Sequence, residues 1–274
     1  MVVIFAVACK AGIYEIDKAW IVNMSNIQYL EYWGNNFPWS FKGENASYEV
    51  RRRQRYELQD YMHEAVGFEN YRHKRILEVG CGGGVDSAEF ARNGAEVISL
   101  DFTSEGTRAT RDTLREAGAT PNVVRASAEK LPFRSGCFDC VYSFGVLHHI
   151  PKIEIVIDEI AGTLKVGGDL ICMVYNKESL LYAYSILFLH RNEVADENEL
   201  LRRYSERNLG CPYTRAYNKK EACELLYENF DNVEAKVFFD VIDTPGARKV
   251  KIRVPPEYGL GWHIILNGKR KKTI

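Results

Sequence analysis

The chain has 274 residues, of which 46% are hydrophobic and 27% charged. That is enough apolar material for one large folded unit or two small ones, and too much for global disorder. Lys plus Arg total 36 and Asp plus Glu 37, a formal net charge of −1, so no nucleic-acid partner is expected and the basic tail "NGKRKKTI" reads as a solvated end.

Seven scattered cysteines point to a reducing, cytoplasmic setting rather than a disulfide framework. The pair Cys137 and Cys140 in "CFDC" has no second pair or neighbouring histidines. It is weak as a zinc motif and reads better as two small residues entering a buried strand, so no metal is expected. The opening "MVVIFAVACKAG" lacks a basic flank and is too short for an export signal, and no run is long enough to span a bilayer. Met24 reads as a natural start, which makes residues 1–23 an unstructured or misassigned extension. Residues 24–72 read as an N-terminal cap segment and 73–274 as the main domain.

Within the cap segment, Asn45 to Phe68 reads as one helix, with Leu58, Tyr61, Met62 and Ala65 at i, i+3, i+4 and i+7. Its arginines, Arg51 to Arg53 and Arg55, are expected on a solvated face, or with one of them reaching an acidic group on a ligand. Strand and helix patterns then alternate. "RILEV" is a strand, "VDSAEFARNG" a helix stopped at Gly94, and "AEVISLD" a strand. "TSEGTRATRDTLREAG" is a helix capped by Thr103 or Ser104. "NVVRAS" and "FDCVYSF" are strands. "PKIEIVIDEIAGTLKVGG" is a helix ended by Gly167 and Gly168, and "DLICMVYN" is the fifth strand. Residues 178–213, an apolar helix followed by a charged one, break the alternation and read as a helical insertion after that strand. "NKKEACELLYENF", capped by Asn218, resumes the pattern, followed by the strands "NVEAKVFFD" and "WHIILNG". The fold class is α/β: a Rossmann-like, open, mostly parallel seven-stranded sheet with helices on both faces.

Open parallel sheets bind ligands beyond the carboxyl ends of their strands. The first strand here runs into "EVGCGGG", and the second ends at Asp101. Glycines let a ligand approach the backbone, and the acid is placed either to take a ribose hydroxyl pair or to cap the helix that follows. The dinucleotide spacing G-x-G-x-x-G is not met from Gly80, where Val85 holds the third place. Glu78, two places before Gly80, suits a ligand with a cationic amino group better than a pyrophosphate.

With these motifs, "SAEKLPFRSGCFDCVYSFGVLHHI" and "LKVGGDLICMVYN", the chain resembles the class I S-adenosylmethionine-dependent methyltransferases. It is most similar to the small-molecule group that includes the ubiquinone/menaquinone biosynthesis C-methyltransferases. The resemblance spans Arg75 to Asn176 and, more loosely, the last helix and strands. It implies S-adenosylmethionine as cofactor, with Gly80, Gly82 and Gly84 beside its methionine and ribose and Glu78 supporting the loop near the amino group. It places Asp101 on the ribose hydroxyls and Phe102 on the adenine. Ser127 stands where the family commonly has aspartate toward the adenine amino group, with Ala128 and Glu129 alongside. Ser143, Phe144 and Gly145 are implied beneath the sulfonium.

His148 and His149 follow the fourth strand, where an acceptor would meet the methyl group. They are candidate general bases, or they only pack the strand end. The acceptor wall is expected from Tyr29, Tyr32, Trp33, Phe37, Trp39 and Phe41, and from Leu180, Leu181, Tyr184, Leu187 and Phe188 in the insertion. Those insertion residues read equally as core. The Asp/Asn-Pro-Pro-Tyr/Phe motif of many nucleic-acid and protein N-methyltransferases is missing. The expected partner is therefore a small-molecule acceptor, apolar or aromatic, without nucleic acid or stable membrane insertion and with the oligomeric state open. The competing readings are a non-catalytic partner that keeps the cofactor loop and a nicotinamide-dependent oxidoreductase.

Overall fold

Five consecutive strands carry the mostly continuous burial of a sheet covered on both faces. They are β1 (Arg75–Val79), β2 (Glu96–Asp101), β3 (Val123–Arg125), β4 (Phe138–Ser143) and β5 (Leu164–Asn176). In β1, Leu77 and Val79 enter one apolar cluster while Ile76 enters the other, as the two-residue period of a strand requires. The computed structural model describes residues 27–36, 46–205, 210–244, 248–252 and 254–272. The expected extension 1–23, Met24, and Phe37, Trp39 and Phe41 lie outside the described residues.

Five further strands are β6 (Ala216–Tyr217), β7 (Phe230–Phe238), β8 (Val241–Thr244), β9 (Arg248–Lys251) and β10 (His263–Arg270). The main sheet runs β3-β2-β1-β4-β5-β10-β7, a seven-stranded path to which the two-residue β6 adds an eighth strand on β5. β1 to β5 pair in parallel, and β10 lies antiparallel to both β5 and β7. The order reverses between β1 and β4, so the crevice of a doubly wound sheet falls beyond Val79 and Ser143.

The helices are α1 (Ile27–Asn35), α2 (Tyr48–Leu58), α3 (Met62–Val66), α4 (Val85–Arg92), α5 (Ser104–Glu116), α6 (Ile153–Thr163), α7 (Glu197–Tyr204) and α8 (Lys219–Glu224). The α6 stripe Ile153, Val156, Ile157 and Ile160 packs on one face with Ala222 of α8. Met62 and Val66 of α3, Phe90 of α4, and Leu181, Ile186 and Leu200 of the insertion cover the other.

Three expectations need correction. The helix over 45–68 is broken: Gln59 leaves helical geometry at φ −118°, ψ 65°, and Leu58 is 40% exposed rather than on the buried stripe. α6 ends at Thr163, not at Gly167 and Gly168. Leu164 turns extended (φ −75°, ψ 141°) and pairs with Phe138, so β5 starts five residues early. Gly168 sits in the irregular stretch of that pairing, where a Cβ would meet the carbonyls of Lys165 and Asp139 at 2.9 and 3.0 Å. Finally, the arginines of α2 are not a solvated face. Arg51 is buried on Thr113, Arg52 binds Glu89 and Arg55 binds Asp86, leaving Arg53 to solvent.

Candidate functional site

The glycine loop between β1 and α4 is held by side chains and backbone from the neighbouring β2–α5 unit. Gly80 donates its N–H to Leu100 O at 2.7 Å with φ +77°, and a Cβ there would overlap Cγ2 of Val146. Only glycine meets both conditions without strain. Thr110 Oγ1 donates to Gly82 O and Thr113 Oγ1 to Gly83 O, each at 2.7 Å. Both threonines lie on the buried face of α5. Gly84 ends the loop as the residue before α4, packed on Thr110.

Asp101 closes this arrangement. Its Oδ2 accepts the Gly82 N–H at 2.9 Å, and its Oδ1 accepts from Thr103 N–H and Oγ1, both at 2.8 Å. Thr103 caps α5 by accepting the Gly106 N–H at 3.0 Å, so the cap reading falls to Thr103 and not to Asp101. Burial pushes the Asp101 carboxyl above the ordinary carboxylate range, against the lowering pull of the Thr103 and Gly82 amides. The Phe102 amide also bears on this carboxyl, which faces the cavity.

A cavity of about 510 Å³ opens above this floor. Gly80, Gly82, Asp101, Phe102, Ser127, Ala128, Glu129, Phe144, Gly145 and His149 line it, together with Tyr29 and Trp33 of α1. The wall also includes Gln28, Thr103, Val146, Ile150, Pro151 and Lys152, which sequence reasoning missed. The turn between β4 and α6 supplies the last four of these, and no short motif marks it. Ser127 Oγ accepts the Glu129 N–H at 3.2 Å, so its hydroxyl shapes the turn that carries Ala128.

Four expected site residues do not line the cavity. Glu78 lies under the loop, bonded to Ser87, and burial followed by the nearby Asp86 charge raises its carboxyl well above the ordinary range. Gly84 is packed on α5, and Ser143 donates to Val79 O at 3.0 Å behind the wall. His148 is fully buried with its ring 3.8 Å from that of Tyr175, and burial, then His149, pushes its pKa well below the ordinary histidine value. The insertion residues Leu180, Leu181, Tyr184, Leu187 and Phe188 do not line the cavity either. Leu181 and Ile186 pack in the core beneath a π-type helix (Leu181–Phe188), while Tyr184 and Phe188 are exposed.

His149 differs from its neighbour. Its ring is in the cavity wall, edge-on to Trp33 at 4.8 Å. Its Nδ1 lies 3.1 Å from the Tyr213 carbonyl and 3.0 Å from Thr214 Oγ1. A carbonyl only accepts, which favours a proton on Nδ1 and the lone pair on Nε2; Thr214 Oγ1 and Cys211 Sγ, the latter 3.4 Å from Nδ1, can take either role.

A buried ionic group ties α2 to the same region. Asp86 Oδ1 accepts from Arg55 Nε (3.1 Å) and Tyr56 OH (3.0 Å), and Oδ2 accepts from an Arg55 terminal nitrogen (2.7 Å) and Tyr142 OH (2.8 Å). Burial alone would raise the Asp86 carboxyl, but the Arg55 guanidinium and these donors hold it below the usual range. The same guanidinium lies 4.5 Å over the ring of Phe144. Among the described residues, no group of three or more His, Cys, Asp or Glu could hold a metal, and no helix is long and apolar enough to cross a membrane.

Residues 77–172 match the family described as Methyltransferase domain. The ubiquinone biosynthesis O-methyltransferase of Pectobacterium atrosepticum is 30% identical over 115 residues, 42% of this chain and 48% of that protein. The chain thus spans about half the length of the curated relatives it matches, and these carry the name of O- rather than C-methyltransferases. A protein from Pyrococcus horikoshii superposes with a TM-score of 0.61 at 18% identity, over 88% of this chain and 99% of the other. Magnesium protoporphyrin IX methyltransferase from Synechocystis, solved with bound SAH, gives 0.56 at 15% identity, over 90% and 96%. Residues 77–172 are thus similar to a methyltransferase domain, a resemblance that implies S-adenosylmethionine as the cofactor, and the strand order gives the chain the fold shared with these solved structures. The residues present fit that cofactor. Gly80 and Gly82 offer bare backbone to the cavity, Asp101 faces it, and Phe102 and Ala128 give apolar walls.

Proposed function

We propose that this chain transfers a methyl group from S-adenosylmethionine to a small aromatic acceptor bearing a hydroxyl, with His149 as the general base. The observation that carries the reading is one cavity with two unlike ends. Asp101, Gly80 and Gly82 form one, and Tyr29, Trp33 and His149 form the other. When bound, the cofactor supplies an electrophilic methyl carbon for in-line displacement. Asp101 would hold the ribose hydroxyls, and Phe102, Ser127 and Ala128 would frame the adenine. Phe144 and Gly145, which also line the cavity, would bound the space in which acceptor and methyl carbon meet.

The acceptor O–H must lose its proton as the new O–C bond forms, and Nε2 of His149 takes it. His148 is not the base: it lies outside the cavity, and its burial disfavours the charged form. Nε2 of His149 is buried behind the edge-on Trp33, so the acceptor reaches it only as the indole moves aside. The aromatic wall and the names of the relatives support a phenolic acceptor. The net charge of −1 supports a small molecule over nucleic acid. Reduced cysteines among the described residues support a cytoplasmic setting.

The test is transfer of a tritiated methyl group from S-adenosylmethionine to separate panels of phenols, amines and carbon acids. Transfer to phenols is expected, falling about 100-fold in His149→Phe, the scale of a lost general base. Cofactor-bound protein that methylates amines or carbon acids but no phenol would contradict the reading.

A further inference from the structure

The helical insertion ends in a strap, Cys211 to Arg215, that does not touch the cavity yet reaches the back of His149. It is fixed at both ends. Cys211 donates its N–H to Arg202 O at 2.8 Å, and Arg202 Nε donates to Cys211 O at 3.1 Å, which ties the strap to α7. Arg215 N–H donates to His148 O at 3.0 Å, and the next residue enters β6 against β5. Between these anchors the Cys211 thiol donates to Tyr213 O at 3.0 Å, and Thr214 is buried with its hydroxyl on His149 Nδ1.

We propose that this strap is a positioning element: Tyr213 O and Thr214 Oγ1 share the Nδ1–H of His149 and so keep the basic lone pair on Nε2. The inference rests on the role given to His149 above. It also assigns the insertion a task that its apolar helix does not perform. A neutral imidazole in solution exchanges between two tautomers, and only the one with Nε2 unprotonated can accept the acceptor's proton at that atom. A fixed carbonyl and hydroxyl on Nδ1 select that tautomer in advance and hold the ring plane. Thr214 is therefore a positioning residue, not a catalytic one, and Cys211 braces the carbonyl beside it.

The experiment uses the full chain with ¹⁵N-labelled histidine, the His149 signals being assigned by their loss in His149→Gln. Long-range ¹H–¹⁵N spectra of neutral wild type are expected to show Nδ1 protonated and Nε2 unprotonated. Thr214→Val keeps the shape and removes the hydroxyl. It is expected to give averaged or broadened His149 nitrogens and about tenfold slower methyl transfer, with unchanged S-adenosylmethionine affinity by calorimetry. Thr214→Ser restores both readouts, and Thr214→Val adds nothing in a His149→Gln background. Thr214→Ala carries the same test if the valine variant fails to fold. An Nε2-protonated tautomer in wild type, or a Thr214→Val spectrum identical to wild type, would overturn the proposal. Loss of the base role alone appears differently: His149→Gln then turns over normally while the tautomer result stands.

Discussion

The floor and the mouth of the cavity are built by different means. The floor is local: β1, its glycine loop and Asp101 come from 27 consecutive residues, Arg75 to Asp101, and are fixed chiefly by backbone hydrogen bonds and two threonines of the next helix. The mouth is assembled from afar. Tyr29 and Trp33 come from α1, His149 from the turn after β4, and the groups behind His149 from the end of the insertion. A floor made of backbone geometry can hold the same cofactor in many proteins. A mouth made of side chains on separate segments can change its acceptor without disturbing the floor.

Substitutions should separate the two regions. The largest effect is expected where both are tied to the cap segment. Asp86→Ala leaves Arg55 without its charged partner, with only the Gln59 side chain still accepting from it, and should cost about 3 kcal/mol of stability, read by urea unfolding. A loss under about 1 kcal/mol would show that Arg55 finds water or another acceptor and that α2 is not locked to the site. Trp33→Ala should act on the mouth alone. It is expected to raise KM for a phenolic acceptor about tenfold, with the S-adenosylmethionine Kd within about threefold of wild type. Equal losses in both constants would erase the distinction between the regions.

Two buried carboxylates beside the floor should respond to pH in opposite senses. The Asp86 carboxyl is lowered, so its contribution is present above the unfolded value of about 3.9 and lost as pH falls through its folded value. The Glu78 carboxyl is raised, so its contribution is full below about 4.3 and drains as pH rises through the raised value. Glu78→Gln stays neutral and keeps an oxygen for Ser87. It is expected to be about 1 kcal/mol more stable than wild type at pH 8 and no more stable at pH 4, by thermal melts. The reverse order would place an ionised Glu78 in the folded protein. The smallest effect is expected at Arg53, whose pairing with Glu57 is fully solvated: Arg53→Ala should change stability by less than about 0.5 kcal/mol.

The same contrast explains what the sequence made legible. The strand–helix alternation, the glycine loop and Asp101 follow from short-range pattern: short apolar runs, glycines at a strand end, and an acid closing the next strand. Ten of the fourteen named site residues line one cavity, and all but His149 of these belong to the floor and its rim. Pattern failed where a side chain meets a partner far along the chain. Arg52 and Arg55 look like a charged surface until α4 brings Glu89 and Asp86 against them. The apolar helix Leu181–Phe188 looks like a lid, but Leu181, Tyr182 and Ile186 are buried in the core cluster on the sheet face and its exposed Tyr184 and Phe188 lie outside the cavity wall. His148 and His149 are adjacent and alike in sequence. Only the short helical turn they share decides that one ring goes into the core against Tyr175 and the other into the cavity wall. Thr110, Thr113 and Thr214 carry no motif at all, because a hydroxyl that holds a backbone carbonyl or a ring nitrogen is identified by its neighbour and not by its spacing.

The most direct test of the account is calorimetric titration of S-adenosylmethionine into wild type and Asp101→Ala. The account predicts saturable one-site binding to wild type. The variant should bind roughly 100-fold more weakly, since it loses both the ribose acceptor and the anchor of the Gly82 amide, about 3 kcal/mol in all. Binding of equal strength in the two proteins, with both shown to be folded, would contradict the assignment of Asp101 and the glycine loop as the cofactor floor.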